Sequence, residues 1–266
     1  TTSLAACIRK TLIVSSNLAY NHLYDIAGQE HLNRSLWSAG LQGVRLNHRL
    51  SVILSIEENR RTPSWSVLLG GRRHVVPERL SSLDLTNQKA RRLDVGRAYR
   101  DAGRLVQEPM NFAQKNHVPL QALQDLLLLL VRPDVDHGLK GLAMPAVHRA
   151  FIVDALTTLP HESKWPSWSR EDFDPYRFKP LLRGLERVKP REKLLVVSKA
   201  GKAYGFRIDN AYVEDRETGR AFLLTAGLHV DMDGVLNDDT YDYDLADQFL
   251  ADLGEGLARE FCGPVR

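Results

Sequence analysis

Three apolar stretches near the end of the chain limit its fold more than any other feature. Lys193 to Val197 is a short apolar run, Ala203 to Val213 alternates loosely, and Arg220 to Val230 carries Phe222, Leu223, Leu224 and Leu228. With a turn at Asp215 to Gly219 before the last of them, they predict an antiparallel meander. Leu245 to Phe261 then returns to helical spacing, with Asp242 or Asp244 placed to cap it. Such a sheet buries apolar surface only if helices cover it, and the preceding sequence supplies helices. Helices first, then a meander and a closing helix, define an α+β chain.

Ser3 caps a predicted helix running to Val14, with Leu4, Ile8 and Leu12 on one stripe. Leu18 to Ala27 forms a second helix stopped by Gly28, and Gln29 to Ala39 a third stopped by Gly40. Arg45 to Arg61 reads as irregular and polar. Pro119 suits a first helical position, and Leu120 to Leu130, apolar nearly all round, is expected to be buried. Ala146 to Leu159 places Phe151, Ala155 and Leu159 on one face. The organisation expected is a single, incomplete domain over 1–266. Its 1–190 part is mainly helical, with a basic insertion at about 60–116, and its 191–266 part holds the strands and last helix.

Composition excludes several classes of function. A net charge of +3 over 266 residues is too weak to imply nucleic acid as a partner. The segment 60–115 does hold twelve Lys and Arg against five Asp and Glu, which reads as a solvated surface or a landing site for an anion. The longest apolar run, Leu126 to Val131, is far below the ~20 residues of a membrane span. Cys7 and Cys262 form neither a metal cluster nor a disulfide framework. The acidic turn at Asp231, Asp233, Asn237, Asp238 and Asp239 does not fit a calcium loop, so no metal is assigned. No G-x-G-x-x-G or Walker loop is present, and no cofactor is implied. His48 and His117 read as surface or capping residues.

Two triplets remain: Ser15-Ser16-Asn17, at a break between helices, and Lys199-Ala200-Gly201, at a strand end before Tyr204-Gly205. Each has a plain alternative. Ser15 and Asn17 can cap the helix starting at Leu18, and Lys199 can be an ordinary strand-end charge.

Taken in order, these segments resemble class A β-lactamases. Thr2 to Gly28 is similar to the stretch around the S-D-N motif of that family, and Val44-Arg45-Leu46 with Glu57 to Pro63 resembles fragments of its omega loop. Val118-Pro119 into a helix, the Ala146 to Leu159 helix, Lys199-Ala200-Gly201, the third strand and the closing helix follow the same sequence of elements. The resemblance implies a β-lactamase/transpeptidase-like fold, with an antiparallel sheet flanked by helices and a mainly helical subdomain. It also implies acyl transfer on a β-lactam or a peptidoglycan-like peptide, in a protein exported to the periplasm or cell surface. In such chemistry a serine of an S-x-x-K motif attacks a carbonyl. Ser15 would relay a proton to the leaving nitrogen, Asn17 would bind the substrate amide, and Lys199 would hold the substrate carboxylate and poise Ser15. Ala200 and Gly201 would line the substrate, and the backbone N–H of Lys202 would be one of two oxyanion donors.

The family pattern also breaks. No serine is followed by lysine three residues on, so the resemblance implies that the N-terminal part with the nucleophile is missing. Ser16 stands for the usual Asp, Ala200 for a hydroxyl residue, and Arg49-Leu50-Ser51 occupies the region of the deacylating glutamate. If strands are missing, Arg220 to Val230 becomes an open edge. The alternatives are a non-catalytic binder of peptidoglycan-like peptides, an N-terminal nucleophile hydrolase using Thr1, and a polyanion binder using the basic segment. Oligomeric state is not set by any of these features.

Overall fold

The computed structural model describes residues 3–88, 90–136 and 138–263. Thr1, the alternative nucleophile, lies outside the described residues. The chain opens with helices α1 (Leu4–Val14), α2 (Asn17–Ala27) and α3 (Gln29–Ser38). Ser3 caps α1 as expected, its Oγ accepting the Ala6 N–H at 3.1 Å. The N-cap of α2 is Ser16, whose Oγ accepts the Ala19 N–H at 3.3 Å. Neither Ser15 nor Asn17 is therefore used as that cap.

The stretch expected to be irregular contains a short helix, α4 (Ile56–Arg60), started by a reciprocal Ser55–Glu58 capping box. Nor is it uniformly polar, because Val52, Ile53, Leu54 and Ile56 stand exposed on its surface. The basic segment follows as short strands: β1 (Arg61–Thr62), β2 (Trp65–Leu69), β3 (Arg72–Val76), β4 (Arg79–Leu80), β5 (Asp94–Val95), β6 (Ala98–Asp101), β7 (Arg104–Val106) and β8 (Met110–Asn111). Next come α5 (Leu120–Val131), α6 (Ala146–Thr157), α7 (Pro175–Phe178) and α8 (Pro180–Leu185). Pro119 is the N-cap of α5, one position earlier than expected, with extended backbone. Within α5 only Ala122, Leu127 and Leu129 are buried, and Leu120 is exposed, so the helix is embedded on one side alone.

The last quarter is β9 (Leu194–Ala203), β10 (Phe206–Asp215), β11 (Ala221–His229), β12 (Val235–Leu236) and α9 (Tyr243–Phe261). β9, β10 and β11 form the expected meander in the order β11–β10–β9. β9 runs further than expected, so Lys199 lies within the strand. The turn after it is the pair Tyr204-Gly205, both at positive φ (52° and 74°), the two-residue hairpin type that matches strand twist. Asp242 occupies the N-cap position of α9 but makes no cap bond there; its carboxylate accepts the Met232 N–H at 3.2 Å.

Alternation puts the two faces of the sheet into two cores. Val196, Ala211 and Val213 pack with Leu181, Leu185 and Ala258 beneath α8 and α9. Val197 and Tyr212 face the other way, onto Leu127 of α5 and Leu156 of α6. Helices α8 and α9 approach backbone to backbone: a Cβ on Gly184 would sit 1.6 Å from the Ala251 carbonyl oxygen. Among the described residues, β11 pairs with β10 alone, leaving its other edge open. The basic segment is tied to this half, because β12 runs parallel to β6 and Arg97 donates to the Asp233 carbonyl at 2.6 Å.

Candidate functional site

Ser15 ends α1 in the left-handed region (φ 54°, ψ 40°), and the Ser16 N–H closes back onto the Lys10 carbonyl at 3.1 Å. Such a reversal, without glycine, costs about 1–2 kcal/mol. It turns the Ser15 side chain toward β9 and lets α2 start at once. From β9, the Lys199 ammonium donates to Ser15 Oγ at 2.5 Å and to the Ala200 carbonyl at 2.7 Å. The two triplets, far apart in sequence, thus meet at one place.

They line a groove of about 420 Å³ together with Tyr20, Leu50, Arg177 and Arg207. Ser15, Asn17, Lys199, Ala200, Gly201 and Lys202 all lie on its walls. A Cβ built on Gly201 meets no atom within 4 Å, so the wall there is open to a ligand. Asn17 is partly committed, since its Nδ2 donates to Ser51 Oγ at 2.6 Å, which leaves its carbonyl oxygen as the group for a ligand N–H.

The hairpin register fixes which backbone groups of β9 face the groove. With a two-residue turn, Ala203 and Phe206 form a hydrogen-bonded pair, and pairing alternates from there. Lys202 and Ala200, opposite Arg207 and Asp209, therefore turn their N–H and C=O away from β10. The bond from Lys199 to the Ala200 carbonyl agrees with that orientation. β9 offers two outward-facing peptide groups beside Ser15.

The charges around the groove are of one sign. Arg177, Lys199, Lys202 and Arg207 line it, and among the described residues no Asp or Glu does. Burial, with Arg207 nearby, pushes Lys199 down to about 8, and the buried Asp209 carboxylate opposes that shift. Lys202 is lowered too, chiefly by burial and then by Arg177, and its ammonium lies 4.6 Å over the Tyr243 ring. Arg207 is buried, its Nε donating to Asp247 at 2.6 Å and a second nitrogen to the Arg177 carbonyl at 2.9 Å.

Arg207 escapes a motif search because it sits alone on β10; its signal is register, two positions before Asp209 and opposite Lys202. Beneath the groove, Lys179 is also buried, donating to the Leu156 carbonyl and to the Ser198 carbonyl at 3.1 Å. Burial lowers Lys179 to about 7, while Asp209, fully buried, is raised by the same cause. His48 is half-buried, with Nδ1 2.6 Å from the Arg49 carbonyl, and burial lowers its pKa. His117 pairs through its backbone with Arg45.

Residues 1–93 match the profile of a family described as the Beta-lactamase enzyme family. Among solved structures, the chain is similar to a β-lactamase from Burkholderia vietnamiensis. That likeness has 14% identity and a TM-score of 0.50, and covers 97% of this chain. The chain spans 65% of the length of that structure. No curated protein matches.

Proposed function

We propose, for a chain that has the β-lactamase-like serine hydrolase fold, that the groove between Ser15 and Lys199 is an acyl-transfer cleft for a small anionic amide or ester. A β-lactam or a peptidoglycan-like peptide ending in a carboxylate is the substrate class. The observation that carries this reading is the 2.5 Å contact of the Lys199 ammonium with Ser15 Oγ, inside a groove whose charged lining residues, among those described, are all cations.

The roles follow from position. Lys199 attracts the substrate carboxylate and keeps the Ser15 hydroxyl poised to pass a proton to the leaving nitrogen. The outward N–H of Lys202 is an oxyanion donor, a group worth roughly 3 kcal/mol in the transition state. Ala200 and Gly201 let the substrate lie along β9, with its amide N–H on the Asn17 carbonyl. The nucleophile is contributed by an S-x-x-K segment outside this sequence, whose strands also cover the open edge of β11. The complete protein acts outside the cytoplasm; among the described residues, no helix is long and apolar enough to cross a membrane.

Leu50 favours a second reading. It lines the groove from the loop where a deacylating carboxylate would stand. Without a base there, an acyl-enzyme persists, and the protein behaves as a covalent trap or a plain binder of the same ligands.

Labelling with a fluorescent penicillin separates these readings. In a longer polypeptide that supplies the S-x-x-K serine, covalent labelling is expected. Ser15→Ala and Lys199→Ala should each slow it by about 10²-fold or more, the scale of a lost proton-transfer group. Saturable but non-covalent binding would make the protein a binder. Unchanged labelling in both variants would remove the assigned roles.

A further inference from the structure

Behind the loop that walls the cleft lies a larger cavity, of about 600 Å³, within the size range of small-molecule sites. The partition is thin. Leu50 lines the cleft while its neighbours Arg49 and Ser51 line the cavity, and Ser51 is the residue bonded to Asn17. The opposite wall comes from the basic segment, through Leu83, Leu85 and Met110, and from Tyr204 at the β9–β10 turn. Nothing in the acyl-transfer chemistry uses this space.

Three features of the cavity describe an occupant. First, its rim is aliphatic: Val52, Ile53, Leu54 and Ile56 line it, and all four are exposed, Ile53 completely. A contiguous apolar rim facing water marks a place where a chain is received. Second, Lys115 lines it with an ammonium that bonds only a neutral group, the Tyr204 hydroxyl at 3.1 Å, and lies 5.0 Å from that ring. Among the described residues no carboxylate pairs with Lys115. Of the other cations of the lining, Arg49 is committed to Asp25 at 2.6 Å and Arg60 to the Ser81 carbonyl, while Arg100 stands exposed on the wall formed by the basic segment. The acids of the lining, Asp84 and Asp101, are both exposed, and Asp84 accepts the Thr86 N–H at 2.9 Å. Third, Gln29 on the lining is only 3% exposed, and among the described residues its Oε1 has no hydrogen-bond donor, although its Nε2 donates to the Asn47 carbonyl at 2.8 Å. An orphaned buried acceptor calls for an N–H or O–H from a guest.

We infer that this cavity binds an N-acylated amino acid: an aliphatic chain on the 52–56 rim, an amide N–H on Gln29 Oε1, and a carboxylate on Lys115. No bond is made or broken. A plain fatty acid lacks the donor, and a neutral lipid amide lacks the charge. The site is separate from the Ser15–Lys199 cleft and stands whether or not that cleft is catalytic.

Calorimetric titration with N-octanoyl-alanine tests the assignment, since each arm edits the ligand and leaves the fold alone. Saturable binding is expected, weakening about fourfold for each methylene removed toward N-butyryl-alanine. The methyl ester of the same ligand should bind at least tenfold more weakly. So should N-octanoyl-N-methyl-alanine, which has no amide N–H. Lys115→Met, checked for an unchanged melting temperature, should reduce the carboxylate ligand to the affinity of the ester. The Ser15→Ala/Lys199→Ala double variant should bind as the parent does, which places the ligand outside the cleft. The proposal is overturned by an absence of saturable binding, by an ester that binds as well as the acid, by an N-methyl ligand that binds unchanged, or by loss of binding in the double variant.

Discussion

Lys199 and Ser15, 184 positions apart, meet through a 2.5 Å hydrogen bond from Nζ to Oγ, and this contact holds the end of α1 against β9. The ammonium is desolvated there and its pKa falls to about 8, against an ordinary lysine near 10.5. Below that value it is cationic, and above it the lysine is neutral in the folded protein. Capture of an anionic ligand by the cleft should therefore decline as pH rises through about 8. Lys199→Arg, cationic throughout, should abolish the decline in that range. A binding profile that is flat from pH 7 to 9 in the parent would contradict the desolvated lysine.

The same shift has a consequence for stability. Between about 8 and 10.5 the unfolded chain holds a proton on Lys199 that the folded one does not, so this group makes stability rise with pH across that window. The cost of keeping the charge buried is present in full below the folded value. Lys199→Met should thus gain more at pH 7 than at pH 10, in paired urea titrations. An advantage of the same size at both pH values would refute the assignment.

Lys179 is buried in a different way, with its pKa lowered to about 7 by burial. Its ammonium fills acceptors on Leu156 and Ser198, and the oppositely charged group acting on it most strongly is Asp209. Removing one member of a buried charge pair usually costs about 3–5 kcal/mol, because the other is left uncompensated. Lys179→Met should therefore destabilise the fold by about that much, and Lys179→Met/Asp209→Asn should recover a large part of it. A double variant no more stable than the single one would show that the two charges do not compensate each other.

How much of this was legible in the sequence depends on the range of the signal. Helices α1–α3, the meander and the closing helix follow from periodicity and caps, which are local. The Ser15 and Lys199 triplets could be paired only through the order of the elements around them. Arg207 could not be picked out, because its partners Asp247 and Arg177 are set by tertiary packing. The apolar residues at 52–56 were hidden by Glu57, Glu58, Asn59 and Arg60, which make the window polar on average. Burial of Lys179 and Asp209 is likewise invisible locally, since each is a single charge in an ordinary strand or helix start. In the sequence Lys199 reads as a strand end, because the polar run Lys199 to Lys202 hides the strand's continuation. The hairpin turn at Tyr204-Gly205 carries the ladder on to Ala203.

Gly184 gives a test of the packing beneath the site. Its missing Cβ allows α8 to touch α9, and an added methyl would meet the Ala251 carbonyl oxygen at 1.6 Å and the Glu255 nitrogen at 2.7 Å. Those are backbone atoms, so no side-chain rotation relieves the clash, and the helices must separate. Overpacking of this kind costs about 1–3 kcal/mol and sometimes more; with two backbone groups struck, Gly184→Ala should fall at the upper end. Gly256→Ala, on the same helix α9 but with nothing within 4 Å of its Cβ, supplies the control. It should raise stability by up to about 1 kcal/mol, as expected for alanine replacing glycine inside a helix. Thermal unfolding of the two variants checks both signs. Equal melting temperatures would mean that the two helices do not meet at Gly184.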